Sequence, residues 1–442
     1  MAARPLLLFL GVATLWAAGI SAGAAAPALE WQTPLDIVKG RGERGPWQQN
    51  ESRYDFVDDP TVLANDRGDI AVAWVNQASK DVYFQRIPAD GPARSTAINV
   101  SRSPNTFSWL PRLARVPGSP DKLLLVWQEI FFSGGSHGGE ILFALSTDGG
   151  GTFSPPINLS ASAGGDGKGR ISRDVWHNGS FDLVAGPYGE VFVSWTEYDG
   201  PLWFSRSVDG GKTFSRPAQI AGGRGGDPAR APSLALGPDG AIYLAWTVGE
   251  RTSADIHLAK SVDGGRSFGK PAVVAPSKNY SDAPKLAVDS AGTLHLAYAE
   301  SAGGPETAHH IRYTNSVDGG RSFAPSRDIS APLPNGSRSA AYPALGVDAQ
   351  RRVYVLFELQ PRAGQASRGL ALSVSQDGGV SFRAPQAVPA SADAGGGFNG
   401  SSQGLLMNKL SVSPSGDVAV VNSALKQDAH SRVWLMRTRQ RR

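Results

Sequence analysis

The sequence predicts an all-β fold, a seven-bladed β-propeller with six blades as the alternative, on three observations. One eight-residue turn recurs five times, a strand–turn–strand unit recurs seven times, and no segment carries a helical period. Self-similarity of this kind marks a repeated supersecondary unit, and four short strands per unit are what a propeller blade requires.

The turn begins at Ser146, Ser207, Ser261, Ser316 and Ser375 and ends at Phe153, Phe214, Phe268, Phe323 and Phe382. Its aspartates, Asp148, Asp209, Asp263, Asp318 and Asp377, stand 61, 54, 55 and 59 residues apart. An aspartate carboxylate can accept hydrogen bonds from the amides of its own turn, and a Gly-Gly pair supplies positive φ, so the pattern reads as a hairpin turn. A calcium loop would carry several carboxylates where each copy carries one.

Upstream of each turn lies an apolar strand, a tight turn and a strand ending in an aromatic residue. The unit runs from Pro60 to Trp74, Pro111 to Trp127, Phe181 to Trp195, Pro232 to Trp246, Pro284 to Tyr298, Pro343 to Phe357 and, with asparagine at the end, Asn408 to Asn422. The last unit stops after its third strand, Arg432 to Met436. The missing fourth strand is legible near the start of the chain, because Trp31/Pro34/Ile37 repeats the spacing of Phe153/Pro156/Leu159 and Phe214/Pro217/Ile220. Trp31 to Val38 is therefore expected to pair with Arg432 to Met436 and close the ring, which removes the free edges of an open array.

Composition narrows the function. The 442 residues include no cysteine, which excludes disulfides, thiol nucleophiles and cysteine-ligated metals. A net charge of +4 without a basic stripe argues against nucleic acid, and the basic end Arg437 to Arg442 reads as a solvated tail. Arg4, the apolar run Leu6 to Ala18 and the small residues 21–26 have the form of a secretory leader. The expectation is a signal peptide over 1–26 and one propeller domain over 27–442, secreted or periplasmic. No later segment has the apolar length of a membrane span.

The Ser-x-Asp-x-Gly-x-Thr/Ser-Phe turns resemble the Asp-boxes, or bacterial neuraminidase repeats, of the sialidase superfamily, over about Pro60 to Arg437. The resemblance implies a propeller with these boxes on the face opposite the active site, and it fixes no reaction. Sialidases of the family hold the substrate carboxylate with three arginines, attack with a tyrosine activated by a glutamate, and use an aspartate as acid/base. Planar guanidinium forks suit a carboxylate, and a neutral tyrosine avoids the repulsion a carboxylate nucleophile would meet. This sequence departs from the family in having seven units rather than six and in lacking a late Arg…Tyr pair. Its Arg86-Ile87-Pro88 stands on the outer part of the first blade rather than before the first inner strand.

In such a ring the loops entering strand one and those joining strands two and three share a face, and strand one lines the channel. Those positions hold Arg53, Arg112, Arg173, Arg230 and Arg338, with Trp109 and Tyr198, as candidate ligand-binding residues. Asp58, Asp59, Asp174, Glu197 and Tyr342 are the candidate catalytic groups. Arginines from five blades suit an anionic ligand, and aromatic rings suit sugar faces. The seven histidines are scattered, so no metal and no cofactor are expected. The sequence thus points to an exported, monomeric exo-glycosidase that takes a terminal acidic sugar of the sialic acid type. The rival is a non-catalytic propeller that binds a glycan or a protein, and a lyase with a tyrosine or histidine base is the third reading.

Overall fold

The computed structural model describes residues 29–46, 48, 51–89, 95–103, 106–133, 136–160, 180–197, 200–223, 226–249, 253–392 and 408–439. The leader expected over 1–26 lies outside them. Among the described residues seven antiparallel sheets of four or five strands form the blades, each with one edge strand innermost, and a two-stranded sheet pairs Glu43–Arg44 with Tyr54–Asp55. The inner strands are Val57–Ala64, Phe107–Arg115, Phe181–Ala185, Ala229–Leu236, Tyr280–Val288, Ser339–Val347 and Leu410–Val412. Among the described residues there is no α-helix, and no helix long and apolar enough to cross a membrane.

The ring closes as the sequence anticipates. The outer strand of blade seven comes from the other end of the chain: Leu35 lies opposite Leu435, Asp36 opposite Trp434 and Val38 opposite Val433. Glu30–Trp31 continues the pairing against Thr438 and Arg439. The break between the two stretches spans Pro34, which has no N–H to donate, while Gln32 N bonds Arg437 O at 2.9 Å. Ile37 then packs with Val57, Val72, Val421 and Leu435 and joins blade seven to blade one.

The blades are held face to face by aromatic side chains. Trp127, Trp195, Trp246 and Tyr298, each within a second strand, are at most 1% exposed. The recurring turn supplies a second contact. Ser207 Oγ donates to Asp209 Oδ1 at 2.7 Å and accepts Gly211 N at 2.9 Å, while Thr213 N and Thr213 Oγ1 donate to the same carboxylate. The other four copies repeat this arrangement. The turn is thereby rigid, and its phenylalanine stacks edge-on against the preceding blade: Phe214 on Phe143, with centroids 5.0 Å apart, and Phe268 on Phe204 at 4.9 Å.

The second glycine of the pair is dictated twice. Gly265 has φ +78°, and a Cβ there would lie 2.8 Å from the Phe204 ring. Blade one lacks the turn, and Asp69 substitutes for it by bonding Arg86 Nη2 at 2.6 Å and Ala89 N at 3.1 Å.

Three outcomes follow. Deleting residues 29–40 bares the His430–Arg439 edge, so the truncated protein should melt at lower temperature and elute as aggregate in size-exclusion chromatography. Gly265→Ala should cost about 2 kcal/mol or more in urea unfolding, because it adds left-handed strain to a clash with the preceding blade. Backbone and hydroxyl donors hold the Asp148 carboxyl down to about 2. A depressed acid stabilises the fold above its ordinary titration range and stops doing so as pH falls through the folded value. The melting temperature should therefore drop between about pH 4 and pH 2, and less steeply in Asp148→Ala.

Candidate functional site at the mouth of the channel

Every inner strand is an edge of its sheet, so a proline within it sacrifices no ladder bond. Five inner strands use this freedom in the same way. Asp59-Pro60, Leu110-Pro111, Ala231-Pro232, Ala283-Pro284 and Tyr342-Pro343 each form a bulge at which the strand register shifts. The residue before each proline has φ between +48° and +60°. A left-handed conformation at a residue with a side chain costs roughly 1 to 2 kcal/mol, and a bulge turns the flanking side chains to a new direction. The residue after the proline, namely Thr61, Arg112, Ser233, Lys285 or Ala344, is consequently at one level of the ring. Asp182 and Lys409 occupy that level in blades three and seven, opposite Ser194 and bonded to Val421 N.

This level is the waist of the channel, and its charges converge. Arg112 is 4% exposed. Its Nε donates to Phe181 O at 3.4 Å and stands 3.7 Å from Asp182 Oδ1. Asp182 Oδ2 is already taken by Leu234 N at 2.8 Å. Among the described residues, neither terminal nitrogen of Arg112 has a hydrogen-bond partner, nor has the half-buried amine of Lys285. Burial, and after it the positive charge of Arg112, bring Lys285 down to about 7, with Asp182 pulling the other way.

Nearer the mouth, blades four and five share a compact network. Arg230 Nη2 donates to Tyr280 Oη at 2.6 Å and stands 3.4 Å from Asp282 Oδ2. Tyr280 Oη donates to the same oxygen at 3.2 Å, and Asp282 Oδ1 accepts Thr247 Oγ1 at 2.9 Å and Ala283 N at 2.8 Å. Burial opposes ionisation of Asp282, but the Arg230 charge and these donors outweigh it and hold the carboxyl below its ordinary value. His309 lies edge-on to the Tyr280 ring, and His310 turns away to Asp328 at 3.1 Å, so the adjacent histidines serve different partners.

Two further groups complete the rim. Lys409 donates to Glu358 across blades six and seven, with both side chains at most 5% exposed. Burial, then the charge of Glu358, push the Tyr342 hydroxyl up, so it stays protonated. In blade one, Gln77 Nε2 donates to Asp58 Oδ1 at 2.9 Å, and Gln77 Oε1 accepts from Trp109 Nε1 at 3.4 Å. Burial, then the charge of Asp59, raise the Asp58 carboxyl well above the ordinary range.

Of the residues singled out from sequence, the structure gathers Asp58, Asp59, Trp109, Arg112, Arg230 and Tyr342 on inner strands at the channel. Arg53 and Arg338 are exposed in the loops leading to blades one and six, and Glu197 begins the loop after a second strand. Arg173, Asp174 and Tyr198 lie outside the described residues. Tyr280, Asp282, Glu358 and Lys409 fall in the mouth segments that the sequence marks out, whereas Asp182 and Lys285 were not among the sequence candidates. The signal for Lys285 was present, since it follows Pro284 as Arg112 follows Pro111. Among the described residues, no group of three or more metal-ligating side chains is assembled.

No family model and no characterised protein matches this sequence. Solved structures share its fold at low identity. Polysaccharide lyase Uly1 aligns with TM-score 0.54 and 10% identity over 93% of this chain and 99% of its own. An ulvan lyase bound to -[GlcA(1-4)Rha3S]- aligns with TM-score 0.52 and 12% identity over 87% and 97%. A Hadza microbial sialidase aligns at 0.45 and 12% over 86% and 65%. The chain is thus a β-propeller of the architecture found in these lyases.

The Arg230–Asp282 pair is testable by itself. Arg230→Ala leaves a buried carboxylate without its cation and should cost roughly 3 to 5 kcal/mol in chemical unfolding. Adding Asp282→Asn should restore most of that loss. In the native protein the stabilisation belongs to pH above about 4, the ordinary aspartate range, and should fade as acid protonates Asp282.

Proposed function

We propose that this protein acts on glycans and receives an acidic sugar in its channel, removing it as an exo-glycosidase. The observation that carries the reading is the pair of cations, Arg112 and Lys285, which among the described residues share a single carboxylate, Asp182. A low-dielectric channel with such an imbalance attracts anions. The ulvan lyase of like fold holds a uronate-containing saccharide, the ligand class these cations suit. Asp58 is the candidate proton donor, because burial and then the Asp59 charge raise its carboxyl well above the ordinary range, the direction a general acid for a glycosidic oxygen requires. Tyr342, beside Glu358, supplies the neutral hydroxyl that attack on an anionic sugar calls for. The leader adds export to this proposal, which N-terminal sequencing of the processed protein near Pro27 would bear out.

The commitment of Arg230 to Tyr280, Asp282 and Gly249 O favours a second reading, a propeller that binds acidic glycans without cleaving them. That guanidinium is not free to clamp a substrate carboxylate in the resting state.

Incubation with a fluorogenic sialoside and with uronate-containing polysaccharides separates the two. Turnover should fall at least about 100-fold in Asp58→Ala, the scale of general acid catalysis, and should decline as pH rises and Asp58 deprotonates. Absence of turnover on every acidic substrate, with binding retained, leaves the second reading.

A further inference from the structure

The proposed function asks only for an acidic sugar somewhere in the channel; the waist says more about how such a sugar is held. Three inner strands meet there with complementary demands. Arg112 is anchored through Nε, which fixes the plane of its guanidinium and leaves the two terminal nitrogens uncommitted. A planar fork of two parallel N–H donors matches the two oxygens of one carboxylate, or two of a sulfate. Lys285 stands on the blade-five inner strand at the same register level as Arg112, and the two charges repel. Asp182 cannot neutralise both, because Leu234 N occupies one of its oxygens and Arg112 is nearest the other.

The remaining positions at this level leave the imbalance intact. Thr61, Ser233 and Ala344 are uncharged, and the Ser233 hydroxyl accepts Leu286 N. The Lys409 charge is consumed by Glu358. Among the described residues, one surplus cation therefore stands at this level.

Resting on the acidic-sugar reading, we propose that Arg112 and Lys285 form a single oxyanion seat, taking one carboxylate or sulfate of the glycan, and that filling the seat draws a proton onto Lys285. The Arg112 fork holds the anion, and the anion replaces the missing counter-charge beside the amine. The balance is one proton taken from solvent to the Lys285 amine per anion bound. In the empty channel the amine is about half neutral near pH 7. Above that pH, ligand affinity must fall by up to tenfold per unit until the amine of the occupied seat also titrates.

Isothermal titration calorimetry of the full-length protein tests this with D-glucuronate, D-galactose 6-sulfate and D-galactose. Each is titrated at pH 6 and pH 8 in two buffers of different ionisation enthalpy. Both anionic sugars should bind, galactose at least tenfold more weakly, with proton uptake at pH 8 that largely disappears at pH 6. Lys285→Arg should keep the affinity at pH 8 and abolish the uptake, and Lys285→Met should lose affinity at pH 6 and abolish it too. If the methionine variant fails to fold, the arginine variant alone still reads the uptake. Uptake unchanged in Lys285→Arg overturns the seat while leaving the acidic-sugar reading intact. Equal affinity for galactose, or no binding of either anion, overturns both. If only one anion binds, the seat stands and that anion names the ligand.

Discussion

The strand Leu35–Gly40 pairs with the strand His430–Arg439, and the rest of the structure depends on that closure. Each blade buries its faces against two neighbours, so a ring has no terminal face only if the last blade is complete. The partner strands lie almost the whole chain apart, so the contact carries a large loop-closure cost, growing logarithmically with separation. Without cysteines the chain has no covalent clasp, and hydrogen bonds along this strand pair, with Ile37 inserted between blades one and seven, serve in its place.

The five turns carry the same logic outward from the seam. A turn that is rigid in itself can place a phenylalanine on the preceding blade with little entropy left to lose. The glycine that permits this lies where any side chain would enter the neighbour's aromatic ring. The serine, aspartate and glycines thus form one unit: the hydroxyl and carboxylate tie the loop, and the glycine lets it lie close. Blade one shows the alternative, with Asp69 reaching from the turn between strands one and two to hold the same corner.

This dependence on local chemistry is why the fold was legible in sequence. A hairpin turn is specified by adjacent residues, and Ser-x-Asp-Gly-Gly specifies the same turn wherever it falls. Ring closure was legible because Trp31, Pro34 and Ile37 repeat a local spacing. The site was legible only in part, since it is made by residues from different blades. Arg112 and Arg230 could be named as channel arginines, and Tyr280 and Asp282 as residues entering an inner strand, yet which of them pair, and the part of Asp182, are fixed by register between distant strands. Arg53 and Arg338 sit in equivalent loops by sequence, and their exposure depends on how those loops fold back. The raised carboxyl of Asp58 needs burial beside Asp59, a property no spacing reveals.

The prolines of the inner strands explain how one scaffold can carry a charge pattern at its axis. A bulge before the same position in five blades brings the following side chain to one level, so the five residues after proline can vary without altering the sheets behind them. Two of those positions hold a cation and three hold threonine, serine or alanine. Where the cation has a partner, as Lys409 has Glu358, the pair joins two blades and behaves as structure. Where the counter-charge is shared, as with Asp182 between Arg112 and Lys285, the fold tolerates an uncompensated amine by lowering its proton affinity. Buried cations without partners are costly to a protein that has no use for them. The second layer of the channel, in which Arg230 is fully matched by Tyr280 and Asp282, shows that this chain can satisfy an arginine when stability alone is at stake. At the waist, by contrast, Arg112 and Lys285 share one described carboxylate, Asp182, and it is there that the channel departs from full charge matching.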